Sequence, residues 1–505
     1  MATDLTRELN AGPIQVRYEN GFLRTLSAGN RELVRMIYFA LRNPNWDTAR
    51  MVITNERIDQ TADTFQIQYD WQVNDSGIDM AGRVDMQGHT TGTIDVTFRG
   101  EARSIFQRNR IGICVLHPLS ATTGQPCQIT SPDGSLLNGQ FPDLISPDQP
   151  FLNIRSMTWQ TALGDTAQLD FLGDIFETED QRNWTDASFK TYSTPRVLPI
   201  PVTVQVGTVV EQRVRFRPVS LAGENVSVPV TPGGTIQTEN KLRIGLGQRA
   251  DGRRLRSTEV SLLRKLALSH LRADVFLADI DWIESLQNAR ADAHELDVPL
   301  EIALFFPTNA LDRLNQFLAF LETNPTSIQS VLLFDFATRL TSDTLLRQLT
   351  PTLRSKLPTV PIGGGTDANF AEFNRNRFAY DLVDFVTFSI NPQVHAFDNQ
   401  TMMENVATQA DVVRTAQQLT NNKPVHISAI TLLPRFNPAL LTTFPRPLPP
   451  TDSRQTTEFA AVWTRASQQT LREAGATSVT YFETHGPRGV VDNVTVFPVF
   501  DSLLS

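Results

Sequence analysis

One stretch of the chain, residues 176–192, combines charged and amide side chains with large aromatic rings. Its candidate polar residues are Glu179, Asp180, Arg182 and Asn183. Surface loops usually carry charges without large rings, and core strands carry rings without charges. Because sugar-like ligands are held by a few polar groups between apolar and aromatic walls, the stretch predicts part of a sugar-binding pocket. The alternative is a charge-satisfied corner of a β-sandwich, in which Arg182 and Lys190 neutralise neighbouring acids.

A second group of candidates has the spacing of an acid–base pair. Glu483 and His485 are two residues apart at the end of an apolar run. If that run is a strand, alternate side chains face the same side of it. The carboxylate can then act as a general base, and the histidine can donate to an oxygen that gains charge. The alternative is a solvated strand end that makes structural hydrogen bonds.

Further polar residues follow other apolar runs in the second half of the chain. Asp335 ends the run VLLFD, where a carboxylate either faces a substrate or is a buried structural acceptor. His395 alternates with two amides and can share one face with them, although a lone histidine is more often structural. The candidates for binding hydroxyl groups are Asp367, Asn369, Asn391 and Gln393. The glycines at 363–365 allow close approach of a ligand, but a tight turn explains them equally well.

The elements that position these residues alternate in type after about residue 235. Short apolar runs predict strands, and the amphipathic segments between them predict helices. The predicted strands are Leu242–Leu246, Ala273–Leu277, Leu300–Phe306, Ser330–Phe336, Val360–Gly363, Phe385–Ile390, Val425–Ile430 and Val479–Phe482. The predicted helices are Thr258–Leu268, Ile283–His294, Leu311–Leu321, Thr344–Ser355, Asn374–Leu382, Thr401–Leu419, Thr456–Ala474 and Val494–Leu504. Eight such units match a (β/α)8 TIM barrel, whose active site lies at the carboxyl ends of the strands; an open doubly wound sheet is the alternative.

The first half of the chain has the short alternating runs and turn signals of an antiparallel β-sandwich. Turns are predicted at Asn74–Gly77, Ser131–Gly134 and Asn138–Gly139, and one helix is expected near Arg31–Phe39. The stretch Val226–Gly234 is rich in proline, glycine and valine, as connections often are. The sequence therefore predicts a β-sandwich domain over 1–235 and a barrel domain over 236–505.

Composition and missing motifs exclude several classes of protein. The 505 residues carry a net charge of −9 without a basic cluster, which argues against a nucleic-acid partner. No run approaches the length of a membrane span, and the first residues lack the apolar core of a signal peptide. With only Cys114 and Cys127 the chain is not a disulfide scaffold, so we expect a cytoplasmic protein. Serine-elbow, zinc-helix, phosphate-loop and dinucleotide motifs are missing, so no metal or cofactor is predicted.

Several motifs together resemble the D-apionate lactonase family, which opens the lactone of a branched sugar acid. The motifs include FETEDQRNWTDASFKTYSTP (176–195), GGGTDANFAEFNR (363–375), SINPQVHAFD (389–398) and YFETHGPRGVVD (481–492). The resemblance spans nearly the whole chain and implies a β-sandwich, a barrel and hydrolysis of a five-membered sugar lactone. It does not imply an established set of catalytic residues. Members of the family often carry another small β domain after the barrel; this sequence ends at Ser505, as a shorter member or a truncated form would.

Lactone hydrolysis needs a base, donors for the developing oxyanion and no cofactor. The hypothesis is that Glu483 is the base, with His395 or His485 as donor or acid. Asp335 and the four hydroxyl-binding candidates would contact the sugar. The pocket would be closed or braced by Glu179, Asp180, Arg182 and Asn183. The alternatives are a glycoside hydrolase, which would use Asp335 with Glu483 as its carboxylate pair, and a carbohydrate-binding protein without activity. The expected ligand is a small sugar lactone, and the sequence leaves the oligomeric state open.

Overall fold

The fold is that of a computed structural model, which describes residues 6–223, 242–436 and 447–504. Contacts between Cα atoms divide these residues into two compact units. The first contains residues 6–181 and 188–223, and the second contains residues 182–187, 242–436 and 447–504. The predicted boundary at 235/236 and the predicted connection Val226–Gly234 lie outside the described residues, so both stay predictions.

The first unit is an antiparallel β domain, as predicted. Strands β1 to β10 are Arg7–Ala11, Ile14–Glu19, Phe22–Ala28, Arg31–Arg42, Met51–Gln60, Phe65–Asp75, Ile78–Gly88, Ile94–Ala102, Phe106–Arg108 and Arg110–Pro118. After the short helix α1 (Leu119–Thr122), β11 to β19 are Pro126–Thr130, Leu136–Gln140, Phe151–Ile154, Ser156–Gln160, Thr166–Leu172, Phe176–Asp180, Ser188–Tyr192, Val202–Val204 and Val209–Ser220. The two large sheets have the orders β1-β2-β3-β4-β10-β17-β16-β13 and β12-β11-β14-β15-β19-β8-β7-β6-β5.

The alternating sequence of β6 shows why this half folds as strands. Its residues at odd positions from Phe65 to Val73 are buried, and those between them are more exposed. Side chains on alternate faces of a strand give this period of two. The turn into β7 has Ser76 at φ 51° and Gly77 at φ 83°, which is the left-handed backbone that a tight hairpin requires.

Two predictions for this unit are wrong. The stretch Arg31–Phe39 is not a helix but most of strand β4. A register shift opposite Leu26 and Ser27 inserts an extra residue into β4, so that the consecutive Leu33 and Val34 are both buried, followed by Ile37 and Leu41. This spacing of buried residues imitates a helix, although the segment pairs with strands on both sides. The expected turn at Asn138–Gly139 lies inside strand β12.

The second unit is the predicted closed parallel barrel. Its strands β20 to β27 are Arg243–Gly247, His270–Phe276, Leu300–Phe306, Ile328–Asp335, Ile362–Asn369, Phe385–Ile390, Val425–Ile430 and Ser478–Glu483. The helices α2 to α10 are Ser257–Leu263, Trp282–Leu296, Ala310–Thr323, Asp343–Lys356, Phe370–Arg375, Asn399–Glu404, Thr408–Leu419, Glu458–Glu473 and Pro498–Asp501. A short hairpin, β28 (Val491–Asp492) with β29 (Thr495–Val496), precedes α10.

Most predicted barrel elements recur within a few residues of their expected ends, with four differences. The expected helix Thr401–Leu419 is divided into α7 and α8 by a 3-10 turn at Asn405–Ala407. The expected helix Asn374–Leu382 is the earlier α6 followed by a 3-10 turn at Tyr380–Leu382. The expected last helix, Val494–Leu504, shortens to α10, which has a proline at its start. The glycines at 363–365 lie within β24, where a Cβ atom on Gly365 would lie 1.9 Å from the carbonyl oxygen of Thr387. Close strand packing therefore explains Gly365, rather than a turn or a ligand.

Burial on both faces explains the apolar sequences of the barrel strands. All seven residues of β22, LEIALFF, are buried, because one face contacts the barrel interior and the other the surrounding helices. The charged Glu301 within this strand is 1% exposed, so it requires partners inside the barrel. Along the described ranges, no helix combines the length and apolar character that a membrane crossing requires.

Candidate active site

A pocket opens at the carboxyl ends of β20, β21, β26 and β27, where barrel enzymes carry their active sites. It has a volume of about 590 Å³, including space that is open to solvent. Its charged lining residues are Arg272, Asp274, Arg435, Asp452, Glu483 and Arg488. The remaining lining is largely apolar or backbone, including Leu432, Leu433 and Phe482. A small set of charges on such walls suits a compact polar ligand.

Glu483 is the one residue of the predicted site that lines this pocket. Its side chain accepts from Arg488 at both oxygens, with Nε 2.7 Å from Oε1 and Nη2 3.3 Å from Oε2. Burial raises the pKa of Glu483 above its ordinary value, against the opposing effects of Arg488, the backbone N–H of Ala250 and the more weakly acting Arg435. The carboxylate is therefore more basic than an exposed one and still aligned by a guanidinium.

The end of strand β27 is distorted where it supplies Glu483. Phe482 has φ 49°, in the left-handed region, and the pairing with β20 shifts between Leu246 and Gly247. A Cβ atom on Gly247 would lie 2.8 Å from the carbonyl oxygen of Phe482, so the close approach there favours glycine. Irregularities of this kind redirect side chains at the rims of barrels.

Beside Glu483, two arginines and two aspartates form a closed ring of ion pairs. Arg272 donates from Nε to Asp274 at 2.8 Å and from Nη2 to Asp367 at 2.5 Å. Arg435 donates to the same two carboxylates, with Nη1 3.1 Å from Oδ1 of Asp367 and Nη2 on Oδ2 of Asp274. Burial alone would raise the pKa of Asp274, but the two arginines outweigh it and hold the pKa well below its usual range. Asp274 thus remains ionised.

The ring continues into a polar network inside the barrel. The third nitrogen of Arg272, Nη1, donates to Oγ of Ser428 at 3.0 Å, and this hydroxyl donates to Glu301 at 2.5 Å. Burial would raise the pKa of Glu301, but His426, His270 and Arg272 outweigh it and lower the pKa. His270 is held by Thr480, with Nε2 2.8 Å from Oγ1. The floor of the pocket is therefore fixed by hydrogen bonds that run through the barrel.

Asp452 connects the opposite wall of the pocket to one of the predicted amides. It accepts from Gln393 Nε2 at 2.6 Å and from Arg454 Nη2 at 2.6 Å. Burial would raise the pKa of Asp452, but Arg454 and Gln393 outweigh it and lower the pKa to about 2. Gln393 also donates to the backbone oxygen of Leu432 at 2.7 Å, so it supports two lining residues without lining the pocket itself.

His485 does not share the pocket with Glu483. Strand β27 ends at Glu483, so the expected alternation of side chains does not extend to His485. The imidazole is fully buried outside the lining, and Thr484 lies 3.0 Å from its Nδ1. Burial lowers the pKa of His485 to about 4, and the charges acting on it are those of Glu259, Arg253 and Arg249. The ring is therefore neutral near pH 7.

Asp335 lies at the end of β23 and holds a turn. Its Oδ1 accepts from the backbone N–H groups of Ala337 and Thr338, at 3.1 and 2.8 Å, and from the Thr338 hydroxyl at 2.8 Å. Asn369 and Asn391, at the ends of β24 and β25, bond to each other at 2.8 Å. None of these three lines the pocket.

His395 belongs to a cluster around residues 182–187, which are part of the barrel unit. Its Nδ1 lies 2.5 Å from Oδ2 of Asp186, and its ring meets Trp184 edge-on with centroids 5.2 Å apart. Asp186 also accepts from Asn405 at 3.1 Å. The guanidinium of Arg375 lies over the Trp184 ring, 4.9 Å from its centroid. This cluster does not contribute to the lining of the pocket.

The four candidate residues of the 176–192 stretch contact partners within their own structural units. Asn183 accepts from Asn374 at 3.0 Å, and Arg182 lies 3.5 Å from Asp411, both within the barrel unit. In the β unit, Glu179 pairs with Lys190, and Asp180 accepts from the backbone N–H of Ser146 at 3.1 Å. Lys190 therefore neutralises Glu179, as the alternative interpretation expected, whereas Arg182 is matched by Asp411 of the barrel unit and not by a neighbouring acid.

The sequence interpretation missed most of the pocket. Arg272, Asp274, Arg435, Asp452 and Arg488 were not among its candidates. One signal was available, because Arg272 and Asp274 are two apart in the strand HLRADVF and so share a face. Arg435, Asp452 and Arg488 lie in loops, where no periodicity marks them. Among the described residues, no three His, Cys, Asp or Glu side chains are grouped as metal ligands.

Comparison with known proteins covers both units. The family model described as D-apionate lactonase, N-terminal domain, matches residues 2–220, and the model described as D-apionate lactonase, TIM barrel domain, matches residues 244–505. A curated protein of Brucella anthropi, named D-apionate lactonase, is 29% identical over 525 residues, which cover 95% of this chain and 83% of that protein.

Solved structures are only distantly similar. A glucosidase from Croceicoccus marinus is 10% identical with a TM-score of 0.36, covering 52% of this chain and 66% of that one. A β-glucuronidase from Ruminococcus gnavus, in complex with D-glucaro-d-lactam, is 8% identical with a TM-score of 0.36, covering 90% of this chain and 68% of that one. Likeness at this level carries no argument about function.

Proposed function

The chain belongs to the D-apionate lactonase family, and we propose that it hydrolyses a five-membered sugar-acid lactone, D-apionolactone, to the open hydroxy acid. The proposed site is the pocket between β20, β21, β26 and β27, with Glu483 as the general base. The resulting enzyme is a carboxylic ester hydrolase of carbohydrate catabolism that acts on a small molecule in the cytoplasm.

The observation that supports this proposal most is the raised pKa of Glu483 together with its ion pair to Arg488. A base that removes a proton from water must be ionised but not too weakly basic, and burial raises the pKa of this carboxyl group. The ion pair with Arg488 keeps the group oriented and prevents a larger rise in its pKa. Asp274 and Asp452 have lowered pKa values and so suit acceptance of hydrogen bonds from sugar hydroxyls rather than proton transfer.

The proposed reaction consumes one water molecule. Glu483 takes a proton from water as the oxygen forms a bond to the lactone carbonyl carbon, and the carbonyl electron pair moves to its oxygen. When this tetrahedral intermediate collapses, the ring C–O bond breaks and the leaving oxygen takes the proton from Glu483. The products are a carboxylate with a free hydroxyl group and one proton released to solvent.

His395, His485 and Asp335 lie outside the pocket lining, so their predicted direct roles have less support than that of Glu483.

A second candidate function rests on the contrast between two carboxylates of the same pocket. Asp274 has a lowered pKa and Glu483 a raised one, and retaining or inverting glycosidases use such a difference between their acid and their partner. This pair replaces the pair of Asp335 and Glu483 considered from sequence, because Asp335 holds a turn.

Parallel assays of the intact protein separate these functions. Five-carbon sugar lactones and aryl glycosides are offered to the enzyme, and acid release, aglycone release and binding are each measured. We expect acid release from the lactone. Aglycone release without lactone hydrolysis would replace the proposal with a glycosidase, and binding without turnover would replace it with a carbohydrate-binding protein.

A further inference from the structure

We propose that Arg435 binds the lactone carbonyl oxygen, stabilises the negative charge that develops on it, and then pairs with the carboxylate of the product. Asp274 and Asp367 position the Arg435 guanidinium for this role. The inference rests on the proposed lactone hydrolysis and assigns the donor that this reaction needs beside its base.

Three arginines line the pocket, and their existing bonds distinguish them. Arg272 is 1% exposed at its side chain, and its three nitrogens donate to Asp274, Ser428 and Asp367. Arg488 donates from Nε and Nη2 to Glu483 and from Nη1 to the backbone oxygen of Pro449. Each of these guanidinium groups therefore already uses every nitrogen within the protein.

Arg435 has more capacity for a ligand. Its bonds to Asp274 and Asp367 require two of the five N–H donors that a guanidinium carries. Its side chain is 18% exposed and lines the pocket. Among the lining arginines, Arg435 is thus best placed to offer donors to an oxygen inside the pocket, in the planar geometry that also suits a carboxylate.

The two aspartates hold the guanidinium of Arg435 in place within a ring that carries no net charge. Arg272 also pairs with both of them, so the ring contains two cations and two anions. Asp367 is 5% exposed and Arg272 is almost fully buried, which makes this side of the ring rigid. A donor fixed in this way needs little reorganisation when charge appears on the substrate, and preorganised donors of this kind are the largest single contribution in many enzymes.

The movement of negative charge during the reaction also favours Arg435 as the donor to the carbonyl oxygen. When Glu483 accepts the proton from water, its negative charge is transferred to the carbonyl oxygen. The Arg435 guanidinium acts electrostatically on Glu483, because it contributes to lowering the pKa of that carboxyl group. Base and donor line the same pocket, so Arg435 can stabilise the charge that appears there on the carbonyl oxygen.

The test compares Arg435→Gln and Arg435→Lys with wild type in the intact protein. We expect Arg435→Gln to lower kcat by about a hundredfold to a thousandfold, as the loss of one oxyanion donor does elsewhere. We expect Arg435→Lys to retain charge but lose the planar geometry, and so to lower kcat at least about tenfold. The control Arg354→Gln removes an exposed ion pair with Asp384 on an outer helix and should leave kcat within about twofold.

A binding measurement distinguishes this role from mere support of the fold. The open-chain aldonate is the charged product, and the alditol of the same carbon skeleton is its neutral counterpart. Wild type should bind the aldonate at least about tenfold more tightly than the alditol; Arg435→Gln should lose this preference, and Arg435→Lys should show a smaller one. If Arg435→Gln fails to fold, Arg435→Lys decides, because it keeps a cation between the two aspartates.

Failure of the inference and failure of the proposed function give different results. If wild type hydrolyses the lactone and Arg435→Lys has unchanged kcat and an unchanged aldonate preference, the inference is overturned. The proposed lactonase activity would then remain supported. Wild type that hydrolyses no lactone would overturn the function; the aldonate preference and its reduction in the variants would then still decide whether Arg435 binds a carboxylate.

Discussion

Glu483 and Arg488 form a two-point ion pair at the wall of the barrel pocket, in which Nε and Nη2 of the arginine bond to separate oxygens of the carboxylate at 2.7 and 3.3 Å. The pair lies at the distorted end of β27, where only 8% of Glu483 is exposed. Burial and the cation act on this carboxyl group in opposite directions, and the proposed chemistry depends on their balance.

Replacing Glu483 with glutamine should abolish the base but keep the shape of the side chain. We expect kcat for lactone hydrolysis to fall by about a hundredfold to ten-thousandfold, which is the usual contribution of a positioned base. The circular dichroism spectrum should remain that of wild type. The matched control Glu322→Gln makes the same change at an exposed ion pair with Lys356 and should leave kcat unchanged. Near-normal turnover by Glu483→Gln would rule out Glu483 as the base.

The acid side of the pH profile of kcat/KM should report the ionisation of Glu483. A base works when it is deprotonated, so kcat/KM should rise with pH through a pKa above the ordinary glutamate value. In Arg488→Gln the cation that lowers this pKa is lost, so the acid limb should move to higher pH, with lower activity on the acid side of the profile. Arg354→Gln serves as the control and should not move the limb. An acid limb that stays in place or moves to lower pH in Arg488→Gln would contradict this account.

The strands of the barrel could be predicted from the sequence better than its helix ends and loops. Strands such as β22 are buried on both faces, so their apolar runs mark both position and extent. Helix ends and loops depend on local contacts instead, which is why α6 begins at Phe370 rather than Asn374. The mistaken helix at Arg31–Phe39 has a specific cause, because a register shift in β4 gives its buried residues a helical spacing.

The site was less predictable than the fold for a physical reason. The position of Glu483 at the pocket could be predicted because it ends an apolar strand. The backbone distortion at Phe482, after which side chains no longer alternate between the two faces, has no mark in the sequence. Loop residues such as Arg435 and Arg488 reach the pocket through tertiary structure alone. Only Arg272 and Asp274 carried a readable signal, as charges two apart within a buried strand.

The buried carboxylate of Glu301 should make the stability of the barrel depend on pH. Its pKa in the folded protein is lowered from the ordinary 4.5, so its contribution to stability is present above about pH 4.5 and is lost as the pH falls towards the folded pKa. We expect Glu301→Gln to lower the free energy of unfolding by about 1–3 kcal/mol at pH 7, since the buried hydroxyl of Ser428 loses its charged acceptor. The difference from wild type should shrink when urea unfolding is repeated at pH 3.5. A difference that is constant or grows on acidification would show that Glu301 is not ionised in the folded protein.

The contact between His395 and Asp186 should stabilise the barrel unit rather than carry the reaction. Their short bond, the edge-on contact with Trp184 and the bond from Asn405 fix residues 182–187 away from the lining of the pocket. We therefore expect His395→Gln to lower the free energy of unfolding by about 1–3 kcal/mol, as loss of a buried polar partner does, with kcat within about tenfold of wild type. A double-mutant cycle with Asp186→Asn should give a coupling energy of about 1 kcal/mol or more, because the two side chains contact each other directly. If His395→Gln instead lowers kcat by a hundredfold or more at unchanged stability, the histidine takes part in the reaction, as its alternation with Asn391 and Gln393 first suggested.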